Sequence, residues 1–417
     1  MNDIGKSPTL SSVPFPNERE LYDHFFDTIL APFAGGALET SAQECERYDR
    51  FQFVTDTVAD DLAAAILSGP PGGFQRFDLA LRDGIDAVDD PSPELVAFIR
   101  DVEATPDWLD RAAVERGATV MRRIPLLSAG LAAISLGFYG AYWSANANRA
   151  LAFNGSTSDA AERRLVESMQ YFGDIYGAGG LERFAPGFIT SCRVRLIHGF
   201  VRARLREKSD WDDNVYGAPI PAALQPAAMA SGTTVSLNVL MRFGARFTDA
   251  ELADVAEFTA YALRLMGTPD ELISRTHSGL THSLWLCYRR SASFVDDDLT
   301  QKMVDSFRAA RLPTLPDGPL RDLSGRLTQG HARLVWGDAI CDRYGMGGRA
   351  AAQLLRVALP ILSRLDRVAT TIPVIAARRH VARDRFWAEG VGELLESIVG
   401  QRRTNFSHQA QCPARAA

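Results

Sequence analysis

The 417-residue chain has few cysteines, and their spacing excludes the sites that cysteines usually build. No two of them form a Cys-x-x-Cys pair, and their number is odd. Such a pattern indicates neither a disulfide framework nor a structural zinc site, so a reducing compartment is favoured. The five cysteines are Cys45, Cys192, Cys287, Cys341 and Cys412.

The chain also lacks an excess of positive charge. It has 45 Lys and Arg against 51 Asp and Glu, which gives a formal net charge of −6. A nucleic acid selects basic surfaces and is therefore not expected as a partner. No polybasic run suits an anionic membrane surface. Residues 1–17 show no charged start followed by an apolar stretch, so we expect a cytoplasmic protein.

Alternating, strand-like segments are missing as well. Almost every periodic segment has helical spacing, and 46% of the residues are hydrophobic, enough for a large core. The sequence therefore predicts an all-α protein. Its clearest helices are expected over residues 186–207, 227–243, 249–266 and 269–293. Thr248 and Glu251 have the spacing of a capping box at the start of the third of these helices.

One apolar segment, residues 126–143, is long enough to cross a bilayer. It contains Gly130, Gly137 and Gly140, and small residues let another helix or a flat cofactor approach closely. We therefore predict a fully buried central helix here. Membrane association is possible but not favoured.

His198 is the polar residue that says most about function. Val194, His198, Val201 and Leu205 follow one another at spacings of four, three and four, so they share one helical face. A neutral imidazole among apolar side chains, with arginines nearby, suits a haem site: it offers an axial nitrogen, apolar walls and cations for the propionates. A buried histidine satisfied by a backbone carbonyl is the structural alternative, and periodicity alone does not decide between them.

The residues around His198 resemble a known family. RLIHGFVR at residues 195–202, Trp211-Asp212, and YGAPIP at residues 216–221 are similar to the central signature of the latex-clearing (rubber oxygenase) family. That family shares its catalytic domain with the oxygenase of mycophenolic-acid biosynthesis. The likeness includes residues 105–110, 164–168, 248–251 and 265–272. It implies a globin-like helical core that binds haem b, with additional N- and C-terminal helices, and an enzyme that uses dioxygen.

The resemblance also implies roles for individual residues. His198 becomes the axial iron ligand. Arg164 and Ser168 lie four residues apart on one helical face, and the family has an arginine and a threonine there, both near the haem. We therefore predict Arg164 and Ser168 as catalytic residues. Arg164, Arg195 and Arg202 are predicted to bind the cofactor with His198.

Two departures from the family pattern change the expected chemistry. Rubber-cleaving relatives have a lysine just before the threonine, where it can cap the iron, and this chain has Glu167 there. Those relatives also use a glutamate as a base on the preceding helix, where this chain offers only Asn146 and Asn148. An amide side chain cannot accept a proton at neutral pH, so these departures argue against the polymer-cleaving mechanism, with Glu167 left as an alternative base.

The predicted organisation has five parts. Residues 1–20 form a flexible N-terminus, 21–101 an N-terminal helical region, 102–300 the haem-binding core, 301–401 a C-terminal helical region, and 402–417 a flexible tail.

The sequence thus predicts a haem b-dependent oxygenase, an oxidoreductase that acts with dioxygen on a hydrophobic, alkene-bearing, isoprenoid-like small molecule. Apolar residues 126–138 and 235–243 would hold the substrate. Two alternatives stay open: a haem-binding protein without oxygenase activity, and a haem-free scaffold for a hydrophobic ligand. The oligomeric state is not predicted.

Overall fold

A computed structural model describes residues 19–140, 145–153, 158–208, 211–291, 297–309, 318–390, 392–393 and 396. The ordered elements in these ranges are helices, and no strand occurs among them, which confirms the all-α prediction. The α-helices are α1 (Arg19–Phe25), α2 (Ala42–Phe51), α3 (Thr57–Ser68), α4 (Gly73–Asp83), α5 (Pro93–Glu103), α6 (Arg111–Arg123), α7 (Leu126–Ala133), α8 (Ala145–Phe153), α9 (Ser158–Tyr176), α10 (Pro186–Lys208), α11 (Asp213–Tyr216), α12 (Gln225–Gly232), α13 (Thr234–Arg242), α14 (Asp249–Leu265), α15 (His277–Ser291), α16 (Asp297–Ala309), α17 (Pro319–Trp336), α18 (Asp338–Arg343), α19 (Arg349–Thr371) and α20 (Pro373–Arg385). Shorter π-helical turns cover Phe26–Leu30, Ile134–Tyr139 and Phe386–Gly390, and 3₁₀ turns cover Ala31–Phe33, Ile85–Ala87, Ala222–Leu224 and Asp270–Leu272.

Several helices begin where a short polar side chain caps the first turn. Asp56 accepts a hydrogen bond from the backbone N–H of Ala59 at the start of α3. At the start of α14, Thr248 Oγ1 accepts from Glu251 N at 3.2 Å, and Glu251 Oε2 accepts from Thr248 N at 2.9 Å. The predicted capping box is therefore confirmed. Such caps supply acceptors for the first backbone N–H groups of a helix, which have no hydrogen-bond partner within the helix.

One main hydrophobic core joins the N-terminal, middle and C-terminal regions. Its members run from Tyr22 in α1 to Met346 beyond α18. Phe25 stacks on Trp336 with 4.1 Å between the ring centroids, and Tyr288 meets Trp336 edge-on at 5.2 Å. Helices α1, α15 and α17 are thus packed together by large aromatic side chains. The domain boundaries proposed at residues 101 and 300 stay predictions.

Helix α10 passes through the middle of the protein and carries the predicted site. It packs against α3, α9 and α14. Helices α10 and α3 lie close together at Gly199, where an added Cβ would lie 2.7 Å from the carbonyl oxygen of Ala59. A glycine is required for this close approach of two backbones. The observed bounds, Pro186–Lys208, confirm the helix predicted over residues 186–207.

The apolar segment at residues 126–143 is not the fully buried helix that the sequence suggested. Leu127 in α7 is 58% exposed, whereas Leu131 and Ala132 are buried. The backbone then continues as a π-helical turn, and residues 141–144 lie outside the described ranges. The prediction was wrong at the start of the segment because α7 packs along one face only.

A membrane span was also considered for this segment. In the described ranges no single helix has the length and apolar composition to cross a bilayer. One pair, Arg111–Arg123 with Leu127–Leu136, meets those two criteria together, but it is bent by 104°.

Two other predicted helices are interrupted. The helix expected over residues 227–243 divides at Thr233, whose backbone angles (φ −119°, ψ −96°) are not helical. The helix expected from residue 269 begins only at His277, because Thr276 Oγ1 accepts from Gly279 N at 3.1 Å and caps the first turn. A 3₁₀ turn occupies residues 270–272 instead.

Candidate functional site

His198 lies on α10 at the border between an apolar stripe and a charged stripe. The apolar side is a small cluster in which Ile197, Val201 and Leu205 pack with Ala150 of α8, and Val194 contacts the same cluster. The predicted apolar neighbours of the imidazole therefore do pack together. His198 itself is partly buried.

The charged stripe consists of arginines that form ion pairs with helices α3 and α5. Arg195 donates through Nε and Nη2 to the two carboxylate oxygens of Asp56, at 2.6 and 2.9 Å, and through Nη1 to Asp101 at 2.6 Å. Arg202 donates through Nε to Asp60 at 2.6 Å. The side chain of Arg202 is only 3% exposed, and its buried Nη2 has no hydrogen-bond partner in the described part of the chain.

These ion pairs distinguish the two arginines. Three nitrogens of Arg195 are already engaged by carboxylates, so Arg195 fixes α10 against its neighbours, a role that the sequence did not reveal. Arg202 keeps one donor for an additional acceptor. Cofactor binding by either residue stays a prediction.

Burial keeps the imidazole of His198 neutral. Desolvation, followed by the positive charge of Arg202, lowers the pKa of His198 from 6.5 to about 4, and the carboxylate of Asp56 opposes this change only in part. A neutral imidazole has one nitrogen with a free lone pair, which a metal ligand requires. The burial of His198 therefore favours the neutral form that any metal ligand requires.

The only side chain that hydrogen-bonds His198 in the described structure is Gln225, at the start of α12. Its amide nitrogen lies 3.5 Å from Nδ1. The two ends of an amide exchange by rotation about the last side-chain bond. With the carbonyl oxygen towards Nδ1, Gln225 accepts the Nδ1–H and leaves the lone pair on Nε2. Sequence reasoning missed Gln225, since no local spacing links it to His198.

Each of the other described histidines has a polar partner at a shorter distance than the one between His198 and Gln225. The distances are 3.1 Å for His24 to the carbonyl of Leu334, 2.6 Å for His277 to Asn238, 3.0 Å for His282 to Glu44, 2.7 Å for His331 to Ser135, and 3.4 Å for His380 to Asp384. Local partners account for the positions of those rings. The contact of His198 with Gln225, at 3.5 Å, lies at the long end of hydrogen-bond distances.

Arg164 and Ser168 lie on helix α9, which packs against α10. Arg164 Nη1 donates to the carbonyl oxygen of Leu151 in α8 at 3.2 Å. Leu151 is adjacent to Ala150, which belongs to the apolar cluster beside His198. The structure thus brings Arg164 to the same group of helices as His198. Ser168 is partly buried on the same helix.

Comparison with known proteins identifies the family. Residues 117–371, more than half of the chain, match the family described as ER-bound oxygenase mpaB/B'/Rubber oxygenase, catalytic domain. This chain belongs to that oxygenase family. The rubber oxygenase of Streptomyces sp. (strain K30) is 22% identical over 347 residues, which cover 79% of this chain and 77% of the relative. The structure of latex clearing protein LCP in the closed state superimposes with a TM-score of 0.64 at 18% identity, covering 81% of this chain and 91% of that one.

These matches confirm the family resemblance and the prediction of an oxidoreductase of the oxygenase type. The helical fold shared with the latex clearing protein covers about four fifths of this chain, which is more than the residues 117–371 that match the family.

Two of the three positions at which this chain departs from the expected family pattern are buried. Glu167 on α9 is 6% exposed, and Asn148 on α8 is fully buried. Asn148 Nδ2 donates to Thr300 Oγ1 at 2.8 Å, so the amide links α8 to α16. The side chain of Asn146 lies outside the described residues.

The YGAPIP segment at residues 216–221 forms a turn that packs against the segment after α2. The backbone N–H of Ala218 donates to the carbonyl of Gln52, and that of Ala222 to the carbonyl of Val54, both at 2.8 Å. Gly217 has a φ of +69°, and a Cβ at this position would lie 2.6 Å from Gln52 O. This turn directs the chain into α12 and so positions Gln225 beside His198.

Proposed function

We propose that this protein is a haem b-dependent oxygenase that acts on a hydrophobic, alkene-bearing small molecule such as an isoprenoid, with His198 as the axial iron ligand. The observation that carries the proposal is the neutral, weakly hydrogen-bonded imidazole of His198 within the matched oxygenase domain.

The residues around His198 fit a haem. The Nε2 lone pair of the neutral imidazole suits iron when Gln225 accepts the proton of Nδ1. The apolar cluster next to the ring suits the macrocycle. The buried Nη2 of Arg202 lacks an acceptor within the described chain, and a propionate carboxylate would supply one.

Bound haem would supply the activation of dioxygen at its iron. The protein residues would bind and orient the haem and the substrate, and they would exclude water from the site. His198 would hold the iron, the buried Nη2 of Arg202 would bind a propionate, and the apolar side chains would keep water away. Arg164 and Ser168 are proposed to act on the dioxygen or propionate environment from α9. Arg195, already paired with two carboxylates, contributes by holding α10 in place.

The proposed reaction balances without an external reductant when one carbon–carbon double bond is cleaved by one dioxygen molecule. The alkene bond breaks, each carbon takes one oxygen atom, and two carbonyl groups form. Because Asn148 and Glu167 depart from the expected family pattern, we propose that the substrate differs from the rubber in the name of the Streptomyces relative. A small hydrophobic molecule also fits the cytoplasmic location that we propose.

The experiment begins with protein purified from haem-supplemented cells. We expect a Soret band, consumption of dioxygen with terpenoid alkenes, and carbonyl products detected by mass spectrometry. His198→Ala should lose the band, whereas the control His277→Ala should keep it, since His277 bonds to Asn238. A coloured protein without products would favour a haem carrier, and a folded colourless protein would favour a haem-free scaffold.

A further inference from the structure

Helix α19 presents an apolar face that no described part of the chain covers. Val357 and Val368 are 63% and 61% exposed, and the neighbouring members of the face are similarly open. We call this face the α19 surface; it consists of Leu354, Val357, Ile361, Leu362, Leu365 and Val368. At 100° per residue, all of these side chains except Leu362 fall within an arc of about 80° around the helix axis, and Leu362 lies beside that arc. Apolar faces of this extent on a folded protein mark interaction sites.

Arginines flank the α19 surface along one side. Arg356, Arg364 and Arg367 are exposed, and within the described ranges none of them forms an ion pair. The one acidic residue of α19, Asp366, lies on the other side of the helix. Asp366 binds Arg379 at 2.7 Å and Arg383 at 3.0 Å, which attaches α20 to α19. The charge beside the apolar face is therefore positive and uncompensated.

The third side of α19 fixes the helix to the protein. Ala352, Leu355 and Leu359 are buried in a cluster with Leu131 of α7 and Leu334 of α17. The helix cannot turn its exposed face inward without emptying this cluster. The α19 surface therefore stays directed outward.

A second copy of the chain does not match this charge pattern. In a face-to-face pair of α19 helices neither copy brings an unpaired carboxylate to the arginines, because Asp366, the one acidic residue of α19, already binds Arg379 and Arg383. The C-terminal residues 397–417 do not match it either, since they contain Arg402, Arg403 and Arg415 but no Asp or Glu. A partner must combine an apolar layer with negative charge.

We propose that α19 docks the protein onto an anionic lipid surface. The α19 surface enters the boundary between headgroups and acyl chains, the helix axis lies parallel to the membrane, and the three arginines bind lipid phosphates. Helical spacing separates these arginines in the sequence, which is why no polybasic run revealed them. The proposal is independent of haem binding and of the proposed reaction.

Co-sedimentation of the full-length protein with vesicles tests the proposal. We expect binding to vesicles of phosphatidylcholine with phosphatidylserine, and much weaker binding to phosphatidylcholine alone. Ile361→Glu, in the centre of the surface, should weaken binding at least about tenfold. Each arginine near such a surface contributes about fivefold, so Arg356→Gln, Arg364→Gln and Arg367→Gln together should weaken binding about a hundredfold at low salt.

Matched control variants distinguish binding through the α19 surface from nonspecific binding to the vesicles. Leu67→Glu changes an exposed leucine at the end of α3, and Arg50→Gln changes an exposed arginine on α2; both should bind as the unchanged protein does. Thermal unfolding verifies that each variant is folded. Absence of binding to the anionic vesicles, or equal binding by the α19 variants, would overturn the proposal. So would a dimer that Ile361→Glu converts to a monomer, because the second copy would then be the occupant.

Discussion

Removal of the Asp56 carboxylate tests the ion pairs that hold the His198 helix in place. Asp56 accepts two hydrogen bonds from Arg195, whose side chain is only 3% exposed, and it caps α3 through the N–H of Ala59. Asp56→Ala leaves this guanidinium with Asp101 alone. Loss of one partner of a buried pair costs about 3 kcal/mol, and loss of a helix cap costs about 1 kcal/mol. Because Asp101 still compensates part of the charge, we expect the free energy of unfolding to fall by about 3 kcal/mol.

Urea unfolding followed by circular dichroism measures this loss. Asp56→Asn keeps an N-capping side chain, so its loss should be smaller by about 1 kcal/mol. Asp213→Ala is the control, since it breaks the Arg206–Asp213 pair at 3.4 Å, in which both side chains are nearly half exposed. Such a pair contributes less than about 1 kcal/mol. Equal losses for Asp56→Ala and the control would refute the structural role given to Arg195.

Three further predictions concern the packing of α10, the partner of His198 and the buried histidines. Gly199→Ala should destabilise the protein by about 1 to 3 kcal/mol in urea unfolding, because its Cβ would meet Ala59 O, whereas Gly130→Ala in α7 has open space and should not. Gln225→Glu should raise the pKa of His198 by roughly one to two pH units, because a nearby carboxylate favours the protonated ring. NMR titration measures this pKa, and an unchanged value would contradict the contact between the two residues. Acidification from pH 6.5 towards 4 should lower the thermal unfolding midpoint, because the unfolded chain binds protons at a higher pH than the folded chain does. Three buried histidines have pKa values near 4: His198, His277 and His331. Each of them lowers the free energy of unfolding by at most about 3 kcal/mol over this range. A midpoint that stays constant over this range would rule out their burial as neutral rings.

Local sequence signals predicted the helices that carry the site. Helix α10 has a long periodic pattern, and α14 has a capping box whose two partners are three residues apart, so both were located to within one or two residues. The break at Thr233 lies next to a contact between helices. The ring of Phe172 lies against Gly232, and this contact depends on how α9 packs on α12. A pattern read along the chain contains no such information.

The electrostatic environment of the site could not be predicted for the same reason. Arg195 and Asp56 are 139 residues apart, and Gln225 reaches His198 only because the turn at residues 216–221 packs on Gln52. The sequence therefore indicated that arginines lie near the histidine. It could not distinguish Arg195, which is engaged by carboxylates, from Arg202, whose Nη2 has no acceptor among the residues that the structure describes.

Rescue of a cavity variant by imidazole tests most directly whether His198 binds the iron. His198→Gly removes the ring and leaves space that free imidazole can fill. The account predicts that the haem-reconstituted variant lacks the Soret spectrum of the unchanged protein and regains it when imidazole is added, while His277→Gly keeps the spectrum throughout. A His198→Gly protein with the original spectrum in the absence of imidazole would contradict the account.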